Sequence, residues 1–307
     1  MLSAHPLVSV VIATYNMAQY LGDAIDSVLK QTMADLEILV IDDGSTDGTS
    51  ELMARYLGEQ RVRYSWQENS GQTRAKNAGI AMARGRFIAF CDADDLWVPE
   101  KLAHQLPLFE GSTAIGVVYG RRQRMLSTGE LFGEDDEICY RGRITEKLFR
   151  ANFIPFGTAI VRRSCFEEFG IFDERYRMGI DWHLWLRIST RYEFAFVDAV
   201  IYMYRVWPGQ MSTNWRGRYD AAFRIMEEFL DEYPSMLPRS VIDEAYAHSY
   251  TERARHRSLW GREYWQGIRD VFTALQYRKM YLPAWKLMIR IGVTAVGWPP
   301  PQRNGTV

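Results

Sequence analysis

The stretch "RFIAFCDADDLWVPEKL", Arg86 to Leu102, decides how this chain is read. Four apolar residues, Phe87 to Phe90, are followed by three carboxylates in four positions, Asp92, Asp94 and Asp95. A short continuous apolar run reads as a buried strand, here over residues 87–91. Clustered acids repel one another and gain little from burial. The strand therefore ends where the acids begin, and the acids need something to face.

Outward from this point the two periods alternate. Short runs rich in β-branched residues predict strands over 8–13, 38–41 and 62–66. Apolar residues at helical spacing predict helices over 20–30, 51–57, 74–84 and 99–109, with Gly85 as a stop. Strands alternating with helices of this length make an α/β domain: a mostly parallel sheet flanked by helices, Rossmann-like in layout. Later strands are expected over 117–119, 158–161 and 194–204, with a hairpin or loop insertion over 120–143 that includes the acidic "GEDDE". Short helices are expected over 164–169 and from Asp181. Beyond about residue 219 the pattern is helical, over 221–233, 241–260, 264–276 and 285–296. This divides the chain into a domain over 1–216 and a helical C-terminal extension over 217–307.

Composition narrows the function. The net charge of −1 gives no basic surplus for wholesale nucleic-acid binding. Ten tryptophans and seventeen tyrosines suit either a large core or a surface that stacks on sugars or bases. Cys91, Cys139 and Cys165 are far apart and lack metal-ligand or disulfide spacing, which points to a reducing compartment. The first residues lack a basic segment followed by a long apolar one, and no long uninterrupted apolar run occurs. A cytoplasmic location is expected.

Ligands of open α/β sheets sit at the carboxyl ends of the strands. Three polar clusters follow strand ends here: "TYN" (14–16), "DDGSTDGT" (42–49) and "DADD" (92–95). The last suggests Mg²⁺ or Mn²⁺, hard cations that take one or two carboxylates plus substrate phosphates. An extended D-x-D would point Asp92 and Asp94 to one side. The competing reading places these acids at the positive end of the helix that starts near Pro99, and Asp95 fits either role. "DDGSTDGT" also has the composition of a turn and a helix cap.

Together these pieces resemble the large family 2 of glycosyltransferases, which have the A-type nucleotide-sugar fold. The matching segments, in order, are "VSVVIATYN", "ILVIDDGSTDGT" and "ENSGQTRAKNAGIAMARGRFIAFCDADD", then "FGTAIVRRSCFEEFGIFDERY", "MGIDWHLWLRI" and "YMYRVWPGQMS". The resemblance covers roughly residues 6–213 and leaves the helical tail unmatched.

The resemblance implies an inverting, metal-dependent hexosyl transfer from a nucleotide-sugar, UDP-linked, to a glycan or lipid-linked acceptor in surface polysaccharide or glycoconjugate synthesis. It implies that Ala13, Tyr15 and Asp42 contact the nucleobase and that Lys76, where relatives usually have arginine, lies near the donor. It further implies ribose binding by Asp92, a divalent ion (Mn²⁺ or Mg²⁺) on Asp94 and Asp95, and Asp181 as catalytic base. Asp181 also suits a helix cap, and Trp182 beside it suits an acceptor wall, although Trp182 and Trp185 fit a core equally well. Three departures stand out: Ala13 for proline, Ile180 for an acid before the base, and Trp207 where relatives carry histidine after "YR".

Two other readings compete. A sugar nucleotidyltransferase would show a glycine-rich basic loop after the first strand, where this chain has "ATYNMAQY". A non-catalytic binding or scaffold subunit is favoured by Ile180 and Trp207 and disfavoured by the intact Asp92, Asp94 and Asp181. The tail stretch "YRKMYLPAWKLMIRIGVTAVGW" mixes basic and apolar residues. It fits peripheral membrane contact through an interfacial helix, or a helix packed on the tail bundle or on a second subunit.

Overall fold

The computed structural model describes residues 6–133 and 138–295. Most of "GEDDE", the first five residues and the tail helix's expected end at Val296 lie outside the described residues. The chain folds into two compact units, Met1–Ile144 with Phe153–Trp207, and Thr145–Asn152 with Pro208–Val307.

The first unit is built on a sheet of nine strands among the described residues. They are β1 (Val8–Thr14), β2 (Leu36–Asp42), β3 (Val62–Trp66), β4 (Phe87–Phe90), β5 (Leu96–Trp97), β6 (Ile115–Leu126), β7 (Leu131–Phe132), β8 (Ile160–Arg162) and β9 (Glu193–Val206). Their order is β3-β2-β1-β4-β8-β6-β9-β5, with β7 on β6. From β3 to β4 all pairs are parallel, as the βαβ pattern predicts. Beyond β4 the sheet is mixed: β8 runs antiparallel to both β4 and β6, while β6 and β9 are parallel. The insertion after residue 119 is a continuation of β6 that turns back as β7, so the hairpin reading holds there.

Helices α1 (Ala18–Leu29), α2 (Thr49–Met53), α3 (Gln72–Met82), α4 (Lys101–Gln105), α6 (Arg163–Phe169) and α7 (Ile180–Ser189) belong to this unit, and α5 (Thr145–Arg150) to the other. The apolar face of α1, Leu21, Ala24, Ile25 and Val28, is fully buried in one core with Val8, Val10 and Ile12. Each of the leucine, isoleucine and valine side chains contributes about 1.5–3 kcal/mol by leaving water. Glycine at 79 sets the approach of α3, since a Cβ there would collide with Val11. Glu37, buried in β2, is held below the usual carboxylate range. Burial works against that, but bonds from Ser9, Arg84 and Arg63 outweigh it.

β1 connects to β2 on one side, while β4 lies on its other side. The crevice at the carboxyl ends of β1 and β4 is thus a topological switch point, where ligands bind in open α/β sheets.

The second unit contains α5, α8 (Trp215–Glu232), α9 (Arg239–Arg255), α10 (Tyr264–Tyr277) and α11 (Leu282–Ala295). Asn214 caps α8, accepting from the Gly217 N–H at 3.1 Å. The helix expected over 241–260 ends as α9 and continues as a π-helical stretch, His256–Trp260. Its core joins Ala247, Ala254, Val271, Ala274, Ala284, Leu287 and Ile291.

Candidate active site

The loops after β1 and β2 are laced together. Asn16 sits in the left-handed region (φ 53°), which asparagine tolerates. Its N–H donates to Ser45 Oγ at 2.9 Å, and its Oδ1 accepts from the Thr46 N–H at 2.8 Å. Asp47 accepts from the Ala18 N–H at the start of α1 and from Thr49 at the start of α2. The turn reading of "DDGSTDGT" therefore holds at Asp47, while the N-cap of α2 is Gly48. Asp42 has a different position. It is buried at the last place of β2, accepting from the Ser45 N–H (2.8 Å) on one oxygen and the Tyr64 hydroxyl (2.7 Å) on the other. Each oxygen keeps a second lone pair. Ala13 is half-buried and Tyr15 exposed beside this loop. Asp43, which sequence reasoning left out, shapes the next loop by accepting from the Ser70 and Gly71 N–H groups and the Gln67 amide.

After β4 the three acids part company. The segment is a turn, closed by the Asp95 N–H on the Asp92 carbonyl at 3.1 Å, rather than the extended D-x-D expected. Asp92 and Asp94 are nonetheless both half-buried, while Ala93 and Asp95 are buried. Asp92 Oδ1 accepts from Lys76 Nζ at 3.0 Å. That ammonium group is itself buried, also donates to Gln72 Oε1 (3.2 Å) and lies 4.3 Å from the centre of the Phe156 ring. Asp94 Oδ2 accepts from the Trp207 indole N–H at 2.7 Å, and the Asp94 carbonyl accepts from Arg205 Nε at 2.7 Å. Trp207, the residue in the histidine position, thus reaches the expected metal ligand directly.

Asp95 is only 1 % exposed. Its oxygens accept from the Tyr202 hydroxyl and the Arg205 N–H, both at 2.7 Å. Burial, then the charges of Asp94 and Asp92, push its carboxyl well above the usual range. Asp95 thus lies inside the protein, fastening the end of β9 with both oxygens engaged. The helix-end reading of this acid does not hold, because β5 intervenes and α4 begins at Lys101 without an acid in its first turn.

Asp181 stands in the first turn of α7, half-buried. The N-cap itself is Gly179, in the left-handed region (φ 71°), so Asp181 lies inside the helix rather than at its cap. Trp182 and Trp185 are both buried, Trp185 completely and against Phe194. The core reading holds for Trp185, and Trp182 offers little more than an edge. The approach to α7 is pinned by α3: Thr73 Oγ1 donates to the Tyr176 carbonyl, Gln72 Nε2 to the Arg177 carbonyl and Asn77 Nδ2 to the Phe172 carbonyl, each at 2.9 Å. One helix therefore positions Lys76 against Asp92 and secures the segment that leads to Asp181.

The turn after β4 has a donor set that suits a divalent cation. Asp92 and Asp94 offer hard carboxylate oxygens at a half-exposed turn, as Mg²⁺ and Mn²⁺ prefer. The residues missed by sequence reasoning, Asp43, Tyr202 and Arg205, act through contacts more than twenty residues away. Their only local signals were the second acid of "DDGS" and the arginine of "YRVW".

Comparison with known proteins agrees with this architecture. Residues 9–170, just over half of the 307-residue chain, match the family described as "Glycosyl transferase family 2". An uncharacterized glycosyltransferase of Rickettsia felis is 33 % identical over 199 residues, covering 65 % of this chain and 33 % of that protein. A chondroitin synthase of Escherichia coli is 30 % identical over 200 residues, covering 64 % of this chain and 28 % of the synthase. The chain thus spans about a third of the length of these relatives. Among solved structures, S. aureus TarS 1–349 in complex with UDP-GlcNAc superposes with a TM-score of 0.68 at 20 % identity, over 88 % of this chain and 81 % of that one. The mannosyltransferase PcManGT of Pyrobaculum calidifontis, in complex with GDP-Man and Mn²⁺, gives 0.57 at 19 % identity, over 96 % and 87 %. At such identities the structures establish a shared fold.

Proposed function

The chain belongs to glycosyl transferase family 2, and from that premise we propose that it transfers a sugar from a UDP-sugar to a hydroxyl of a glycan or lipid-linked acceptor, inverting the anomeric carbon. The observation that carries this reading is the turn at residues 92–95. Two half-exposed acids stand there at a sheet switch point, beside a buried lysine. We place the chemistry in residues 1–216 and leave 217–307 as an extension outside it. The nucleotide-sugars in the TarS and PcManGT complexes, and the Mn²⁺ in the latter, support a nucleotide-sugar donor and a divalent ion.

In this reading Tyr15 and Ala13 flank the nucleobase, and the remaining lone pairs of Asp42 accept from its N–H edge. Asp92, held in place by Lys76, accepts from the ribose hydroxyls. Asp94, oriented by Trp207, holds the ion, with Asp92 as its neighbour. When bound, a divalent cation supplies Lewis-acid neutralisation of the leaving diphosphate. Asp181 takes the acceptor hydroxyl proton as the new O–C bond forms and the bond from the anomeric carbon to the phosphate oxygen breaks. Attack opposite the leaving group requires one base and no covalent intermediate. The product is the glycosylated acceptor plus a nucleoside diphosphate, made near a location we propose to be cytoplasmic.

A donor-binding scaffold without turnover is the alternative, and the Trp207–Asp94 bond favours it, since that indole already occupies one lone pair of the acid. The two separate on hydrolysis of UDP-sugars with Mn²⁺. The enzyme reading expects turnover that falls about 10²–10⁴-fold in Asp181→Asn, with donor affinity unchanged. Metal-dependent nucleotide binding without turnover on any UDP-sugar would establish the scaffold instead.

A further inference from the structure

The helical unit carries apolar side chains that its own core does not use. On α11, Ala284, Leu287 and Ile291 are buried in that core. Leu282, Trp285, Ile289 and Val293 are exposed, Leu282 by 60 % and Ile289 by 69 %. At 3.6 residues per turn these four fall within about 80° of arc, on the side away from the buried three. Lys286 and Arg290, both exposed, lie along one border of this ridge. On α10, Trp265 (79 % exposed) and Phe272 (56 %) form a second ridge, with exposed Arg269 between them at one-turn spacing. Exposed Arg278, which pairs with Glu244, joins the two helices together with exposed Lys279 and Met280. Over residues 264–293 five basic residues stand against one acid, Asp270. That acid is buried and paired with Arg253 at 2.7 Å.

We propose that the α10–α11 hairpin docks on an anionic lipid surface, lying in the interface without crossing it. Single exposed apolar residues are ordinary, but a continuous ridge bordered by cations is the surface of an interfacial helix. The Trp285 indole N–H donates to the Lys279 carbonyl at 2.9 Å, so its ring enters an apolar layer with its donor already satisfied. No helix among the described residues is long and apolar enough to span a membrane. A length of 14 residues gives α11 about 21 Å to lie along the surface.

Charge selects the occupant. A second copy of the chain would bring the same cationic border to the contact, with no uncommitted acid in the hairpin to meet it. A nucleic acid would satisfy the cations but leave Leu282, Ile289 and Val293 in water. A bilayer containing anionic headgroups satisfies both parts.

The test is co-sedimentation of the full chain with vesicles of phosphatidylcholine, with and without phosphatidylglycerol, at moderate salt. The expected result is pelleting with the anionic vesicles and at least about tenfold less with neutral ones. Leu282→Glu with Ile289→Glu abolishes pelleting. Lys279→Glu with Lys286→Glu weakens it about fivefold per charge removed. Both double variants keep their far-UV circular dichroism, because all four positions are exposed. Failure of the wild type to pellet, equal pelleting on both vesicle types, or wild-type pelleting by the glutamate pair would each overturn the proposal. So would a dimer in light scattering that Ile289→Glu dissolves while vesicle binding is absent.

Discussion

The turn at residues 92–95 and the ridge on α11 both hold side chains where stability alone disfavours them, and the molecule treats them in opposite ways. Every acid of the turn is tied to a named partner: Asp92 to Lys76, Asp94 to Trp207, Asp95 to Tyr202 and Arg205. The ridge leaves Leu282, Ile289 and Val293 exposed. Fixed partners preorganise a polar site for chemistry within the fold. Apolar surface left uncovered is aimed at something outside it.

Three substitutions sharpen or break this contrast. The largest effect belongs to Asp95→Ala. It leaves the buried Tyr202 hydroxyl and Arg205 N–H without their acceptor, at about 1–3 kcal/mol each. Urea unfolding should therefore show a loss of about 2–5 kcal/mol, and a loss near zero would mean that the turn does not depend on its partners. Next is Trp207→Phe, which removes the indole donor but keeps the ring against Tyr20. Partners that orient a metal ligand are worth about 10–100-fold in affinity. Titration of Mn²⁺ in the presence of UDP should show binding at least about tenfold weaker, with the melting temperature of the unliganded protein little changed. Unaltered Mn²⁺ affinity would reduce Trp207 to packing. The smallest effect is that of Ile289→Glu on stability, within about 0.5 kcal/mol, as for a surface position free of special features. A large loss there would mean that the ridge belongs to the fold.

Much of this was legible in the sequence because it is local. Short apolar runs gave β1, β2 and β4, and the polar clusters that follow them gave the candidate place for a site. Helical spacing gave α1, α3 and the four tail helices. What was hidden depends on partners far along the chain. Whether Asp95 faces an ion or the interior is decided by Tyr202 and Arg205, 107 and 110 residues away. That Trp207 meets Asp94 depends on a register set where β5 pairs with β9. The helix α5 went unread because its six residues carry too few apolar positions to show a period. The mixed half of the sheet was missed for a related reason: β8 has only three residues, so nothing in its own pattern fixes its direction.

The proposed function puts a divalent ion on Asp94, after β4, against a nucleotide diphosphate. Thermal unfolding with UDP, Mn²⁺, both or neither, in the wild type and in Asp94→Ala, tests it most directly. UDP and Mn²⁺ together should raise the wild-type melting temperature more than either alone. Asp94→Ala should lose this rise while unfolding cooperatively near the wild-type temperature. An undiminished rise in Asp94→Ala, or a full rise with UDP and no metal, would contradict it.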